Sequence, residues 1–235
     1  MKKRLPIFIA VAGAMLCFIN CNKTTISSTT QLRVINADPG SLPQDLYLDG
    51  TLMVPSAVAY GVDTNVYTVI PGTYNFKIGP TGSTSYSVNS NIDFSPGKNY
   101  LMFLLHLNDT LQPVVAEVNL PTLGSDTSGI RFLNLSPNSP TMDVAIKSDT
   151  AVVYDTAIIT KYTGRYYNDQ YVTSTYKKFI VMPSGLYNFK FRYTDSTLAI
   201  DSMDINLLPG KCYTIYRRGY AGSTSYPVIT DTIVH

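Results

Sequence analysis

Two histidines, three cysteines and a single glutamate, Glu117, set narrow limits on what this chain can catalyse. His106 closes an apolar run and His235 is the last residue. A Ser-His-Asp hydrolase would have to rest on His106 alone, and no Gly-x-Ser-x-Gly turn is present to raise a nucleophile. His106 is expected at the surface and His235 in a disordered terminus. Two histidines and one spare cysteine do not make a zinc site. The acid pairs Asp201/Asp204 and Asp149/Asp155 lack the alternating Asp/Asn and central glycine of a calcium loop. They read as turn and strand-edge aspartates. One glutamate and no tryptophan argue against a sugar-cleaving cleft. We therefore predict a non-enzyme with no catalytic residue, metal or cofactor.

Binding chemistry is better represented. Tyr162, Tyr166, Tyr167, Tyr171 and Tyr176 cluster with Lys161, Arg165 and Asn168 between them. Tyrosines present rigid faces and a hydroxyl to sugars or protein partners. Tyrosines also serve to cover an extended loop or edge strand, the blander reading. The first reading makes these five a candidate binding surface and predicts that deleting 161–172 removes partner capture while leaving the fold intact.

The N-terminus carries export chemistry. Lys2, Lys3 and Arg4 precede an apolar stretch over 5–19, too short to span a bilayer comfortably. The segment ending Phe18-Ile19-Asn20-Cys21 resembles a bacterial lipoprotein processing site, with Cys21 as the acylated residue. Plain secretion after cleavage near the same point is the alternative. Cys17 falls within the apolar run, and Cys212 alone cannot form an internal disulfide, so packing must stabilise the fold. Cys212 reads as a packed thiol. Removing the three leader cations takes the formal charge from +2 to −1. No basic patch remains, so nucleic acid is not an expected partner.

The elements that position these residues come in two copies. Leu32-Arg33-Val34-Ile35-Asn36-Ala37-Asp38-Pro39 returns as Ile130-Arg131-Phe132-Leu133-Asn134-Leu135-Ser136-Pro137, at an offset of 98. Pro71-Gly72-Thr73-Tyr74-Asn75-Phe76-Lys77 returns around Tyr187-Asn188-Phe189-Lys190, and Pro96-Gly97-Lys98 as Pro209-Gly210-Lys211, both at an offset of 113. The second copy thus holds about 15 extra residues, which contain the tyrosine cluster. Gly82-Ser83-Thr84-Ser85-Tyr86 recurs as Gly222-Ser223-Thr224-Ser225-Tyr226 at an offset of 140, outside both registers, and is assigned no function.

Alternating runs bounded by Asp49-Gly50, Pro71-Gly72 and Ser95-Pro96-Gly97 predict seven or eight short strands per copy. The chain divides into a signal peptide (1–20), a flexible tether (21–30), a first β-sandwich repeat (31–118), a linker (119–128) and a second repeat (129–235) with an insert near 161–176. The predicted fold is all-β, with two tandem Ig-like or prealbumin-like antiparallel β-sandwich domains after the signal peptide.

The Arg33-Val34-Ile35-Asn36-Ala37-Asp38-Pro39 opening, the Asp45-Leu46-Tyr47-Leu48-Asp49-Gly50 hairpin and the Pro-Gly-x-Tyr-x-Phe turn resemble the domain of unknown function numbered 4397, common in lipoproteins of Bacteroidota. The resemblance covers both copies and implies an extracytoplasmic β-sandwich without established catalytic residues. The second copy departs from it, having Lys147-Ser148 where the first has Asp49-Gly50. Six Asp-Ser/Thr-apolar triplets resemble the O-glycosylation acceptor of Bacteroidota and make Thr110, Thr150, Thr156, Ser196, Ser202 and Thr232 candidate sites. The combined expectation is a lipid-anchored outer-membrane lipoprotein of the cell envelope, periplasmic or surface-facing. Its role would be non-enzymatic binding or scaffolding, with an envelope protein or glycan as partner. The alternatives are a pilus or adhesin subunit, or a glycan-binding accessory lipoprotein.

Overall fold

The computed structural model describes residues 29–148 and 162–235. Cys21, Thr150, Thr156, the signal peptide and most of the tether lie outside the described residues.

The first copy folds as β1 (Thr30–Asn36), β2 (Gln44–Leu48), β3 (Thr51–Leu52), β4 (Tyr67–Val69), β5 (Gly72–Pro80), β6 (Val88–Phe94), β7 (Asn99–Leu107) and β8 (Thr110–Glu117). They form two facing four-stranded sheets, ordered β3-β2-β5-β6 and β4-β1-β7-β8. The second copy supplies β9 (Thr127–Asn134), β10 (Met142–Ser148), β11 (Tyr162–Arg165), a one-turn helix α1 (Asp169–Val172) and a 3-10 turn (Ser174–Lys177). β12 (Ile180–Pro183), β13 (Gly185–Tyr193), β14 (Asp201–Leu207), β15 (Cys212–Arg218) and β16 (Ile229–Val234) follow. Its sheets repeat the plan as β11-β10-β13-β14 and β12-β9-β15-β16.

One feature of each sandwich departs from the antiparallel expectation. β1 runs parallel to β7, and β9 parallel to β15. The physical reason is connectivity: after β4 and β12 the chain passes through the other sheet, by β5-β6 and β13-β14, before it returns, so the first strand of each copy is free to pair parallel with a late one.

Alternation explains the inner cores. Leu32, Val34, Leu46, Phe76 and Met102 fill the first sandwich, and Ile130, Phe132, Val144, Phe189 and Ile215 fill the second. A third core lies between the copies. Ile35, Ala37, Leu101, Phe103 and Leu105 join Leu133, Leu135, Tyr216 and Ile233 there. This is why Leu101–Leu105 is a continuous apolar run: β7 is covered on both faces. Equivalent residues of the two copies, Phe103 and Tyr216, meet with ring centroids 5.5 Å apart, as positions do across an isologous dimer interface. The result is four stacked sheets in two sandwich-like units sharing a central seam.

The stack has two poles. β1 begins at a near pole, where Thr30 donates from its hydroxyl to the Ser95 carbonyl at 2.7 Å. A cleft of about 210 Å³ brings Gln31 and Asn99 together with Val234 and His235, so the second copy's β16 ends at this same pole. The far pole holds the opposite strand ends, where Phe191 pairs with Asp201 and Asn134 with Arg217.

Candidate functional site: a polar cleft at the far pole

The second sandwich opens at the far pole into a cleft of about 320 Å³, lined by Tyr193, Ile200, Asp201, Arg217 and residues 221–223 and 227–228 of the following loop. Arg217 comes from β15 and is 3% exposed. Its guanidinium lies over the Phe191 ring at 4.8 Å. It donates from Nη1 to Asp201 Oδ2 at 3.1 Å, and Thr230 donates from its hydroxyl to the same oxygen at 3.1 Å. Its Nε is buried without a hydrogen-bond partner. Burial lowers the Arg217 pKa, with the Asp201 charge opposing, and a guanidinium stays charged under such a shift.

The first sandwich shows what the fold alone needs here. Strand register equates Asp201, Arg217 and Thr230 with Val88, Leu104 and Pro113. Val88 and Leu104 are core residues. The same strand ends therefore close over an apolar core in one copy and carry a charged network in the other. A buried ion pair gives little stability over packed apolar residues, so this exchange points to a role other than folding.

The cleft wall is the β15–β16 connection. The first copy's hairpin turns tightly at Asn108-Asp109, both at positive φ. The second extends through residues 219–228. Gly219 sits at φ 103°, and a Cβ there would lie 2.2 Å from the Pro227 carbonyl oxygen. Ser136 Oγ donates to the Gly219 carbonyl at 2.7 Å, and Asn138 exchanges two hydrogen bonds with Ala221. The repeated Gly222–Tyr226 peptide, given no function above, is the body of this wall.

The five tyrosines do not form one surface. Tyr162 is a core residue whose hydroxyl donates to the Ile130 carbonyl at 3.0 Å. Tyr167 packs into the central seam and donates to the His106 carbonyl at 2.7 Å. Tyr176 stacks on the Arg165 guanidinium at 4.0 Å. Only Tyr166 and Tyr171 are exposed. Arg165 and Asp169 form a fully buried pair, with Nε to Oδ2 at 2.5 Å and Nη2 to Oδ1 at 2.7 Å. Deleting 161–172 would tear out this pair and two core tyrosines, so the insert is part of the fold rather than a removable loop.

The histidines divide. His106 is partly exposed, with Nδ1 3.6 Å from Asp38 Oδ2. Burial raises the Asp38 pKa, with His106 opposing. His235 is held in place, against the expectation for a terminal residue. Its backbone N–H donates to the Cys212 carbonyl at 2.8 Å and its Nε2 lies 2.9 Å from Thr214 Oγ1. Burial, with Arg131 and Arg33 nearby, brings its pKa down to about 4. Arg131 is fully buried, donates to Thr214 Oγ1 at 2.7 Å, and falls to about 10 through burial. Cys212 is a buried thiol whose pKa burial raises. Gly129 leaves room for it, since a Cβ there would lie 2.5 Å from the sulfur.

Thr110 is exposed on the first hairpin, and Ser202 is exposed on β14. Ser196 is half-buried and accepts a hydrogen bond from the Leu198 N–H at 3.2 Å. The Thr232 hydroxyl faces Met203 sulfur at 3.8 Å. Among the described residues no group of three or more His, Cys, Asp or Glu could hold a metal. No described helix is long and apolar enough to cross a membrane.

The protein is thus of the all-β class, two sandwiches stacked back to back with a polar cleft in one of them. Residues 30–145 match the model of the family described as Domain of unknown function (DUF4397). The match covers the first sandwich, the linker and the start of the second. Among solved structures, the chain is similar to family 41 carbohydrate-binding modules from streptococcal virulence factors, which recognise alpha-glucan. The identity is 12%, the TM-score 0.26, and the coverage 80% of this chain and 92% of that one. It is also similar to the CBM26 module of Eubacterium rectale Amy13K in complex with maltoheptaose, at 9% identity, TM-score 0.24, and 88% and 96% coverage. The Bacillus anthracis TIE protein follows at 11% identity, TM-score 0.22, and 80% and 33% coverage. No curated protein matches the sequence.

Proposed function

We propose that this protein is a lipid-anchored, non-enzymatic cell-envelope protein that binds a glycan in the far-pole cleft of its second sandwich. One observation carries the reading: Asp201, Arg217 and Thr230 stand where the first sandwich has Val88, Leu104 and Pro113. A carboxylate that accepts and a guanidinium that donates can grip adjacent hydroxyls, while Tyr193 and Ile200 offer an apolar flank to the carbon face of a ring. The two charges cancel, which favours a neutral sugar over an anion. A volume of about 320 Å³ is at the small end for ligand sites and suits a chain end of one or two sugar units.

Acylation at Cys21 would tie the near pole to the outer membrane, since β1 begins there, and turn the cleft away from the bilayer. Several acyl chains on one terminus hold firmly where one does not. Thr110 and Ser202, being exposed, are the described hydroxyls best placed to carry O-glycans.

Titration of the purified protein against a panel of neutral oligosaccharides tests the reading. A ligand should bind the wild type, and Arg217→Leu should weaken it at least about tenfold, the loss of a charge-assisted contact. Equal binding by Arg217→Leu would exclude the cleft.

A further inference from the structure

The wall of the cleft belongs to the second sandwich, but it is backed by the first. Ala221, Gly222, Ser223, Pro227 and Val228 face the cleft. Tyr226, between them in sequence, turns the other way. Its ring meets Tyr60 of the first sandwich edge-on, with centroids 5.6 Å apart and planes at 87°. Gly40 closes on the same ring: a Cβ there would lie 3.5 Å from it. One residue before the loop, Arg218 places its guanidinium over the Tyr60 ring at 4.7 Å and donates to Asp231 Oδ2 at 2.7 Å. Gly61, at φ 78°, leaves space for that guanidinium, since a Cβ there would come within 2.9 Å of it.

We infer that the first sandwich braces this wall, with Tyr60 as a positioning residue for the second sandwich's cleft. The loop's own hydrogen bonds are few. Tyr220 donates to the Tyr226 carbonyl at 2.8 Å, Ser223 to the Tyr220 carbonyl at 3.1 Å, and the Tyr226 N–H to Ser223 Oγ at 3.0 Å. Ser136 and Asn138 tie down its first residues at Gly219 and Ala221, but with two glycines at positive φ the stretch around Tyr226 depends on packing to stay in one conformation. That packing comes from Tyr60 and Gly40, and the Arg218 guanidinium in turn lies over the Tyr60 ring. The duplication then has a mechanical consequence: one copy carries the site and the other holds its wall. The expected effect on ligand affinity rests on the glycan reading above, whereas the bracing does not.

Hydrogen exchange on the full chain separates the two. Tyr60→Ala should speed exchange at the Tyr220, Ser223 and Tyr226 amides by about tenfold or more. Ile215 in β15 should be unchanged, and Tyr60→Phe, which keeps the ring, should behave as wild type. Loop amides unaffected by Tyr60→Ala would overturn the inference. If that variant also loosens Ile215, Tyr226→Ala removes the same contact from the exposed side and is judged by the same criterion. In a neutral-oligosaccharide titration, Tyr60→Ala should weaken binding about tenfold and Tyr60→Phe less than about twofold. Wild-type affinity in Tyr60→Ala, where Arg217→Leu does weaken binding, would overturn Tyr60's positioning role. A panel that fails on the wild type sinks the glycan reading and leaves the bracing to be decided by exchange.

Discussion

Replacing Asp201 and Arg217 together by the residues of the first sandwich, Asp201→Val with Arg217→Leu, separates a structural from a functional role for the pair. Arg217 is 3% exposed while the Asp201 side chain is 37% exposed. Asp201→Val alone strands a buried guanidinium and should cost about 2–4 kcal/mol, less than a fully buried pair because water reaches the Asp201 side. Arg217→Leu alone leaves Asp201 in contact with solvent and Thr230, and should change stability by less than about 1 kcal/mol. In the double variant the contact with Phe191 is lost, worth about 0.5–2 kcal/mol. Against it stands the burial of a leucine side chain, worth about 1.5–3 kcal/mol. The double variant should therefore be as stable as wild type or up to about 2 kcal/mol more stable, with strong non-additivity. Urea denaturation measures all three, and saccharide titration should show binding lost in each. A double variant destabilised by more than about 2 kcal/mol would mean that the pair holds the fold together, and the argument for a site would fail.

Arg165→Ala should cost about 3–5 kcal/mol in denaturant melts, because it leaves the Asp169 carboxylate fully buried and alone; a loss below about 1 kcal/mol would refute the pairing. The imidazole of His235 should titrate near pH 4 by NMR. Its folded pKa lies below its unfolded one, so the associated stability is intact above about pH 6.5 and declines as pH falls toward 4. An unshifted titration would return His235 to a frayed end.

Much of the fold is legible in local sequence. Offsets of 98 and 113 define the duplication, and turn residues such as Asp49-Gly50 and Pro71-Gly72 mark strand ends. The site was also within reach of that register. An offset of 113 places Asp201 on Val88 and Arg217 on Leu104, an apolar-to-charged exchange at inward strand positions. The tyrosine insert was misleading because an amphipathic ring reads the same outside or in. Tyr162 can be buried only because the Ile130 carbonyl receives its hydroxyl, and nothing local announces that partner. Gly82–Tyr86 and Gly222–Tyr226 are identical peptides with different neighbours: Tyr86 meets Tyr47 of its own sandwich, and Tyr226 meets Tyr60 of the other.

The sequence by itself determined the strands, their inward faces and the doubling of the plan, since alternation and turn chemistry act over a few residues. Only the tertiary structure decided what covers the outer faces of the two central sheets. Leu101–Leu105 is apolar on both sides whichever partner it finds, so the choice of the second copy as that partner is a matter of shape and area. That choice brings Tyr60 to Tyr226, and it makes the cleft of one sandwich depend on the other.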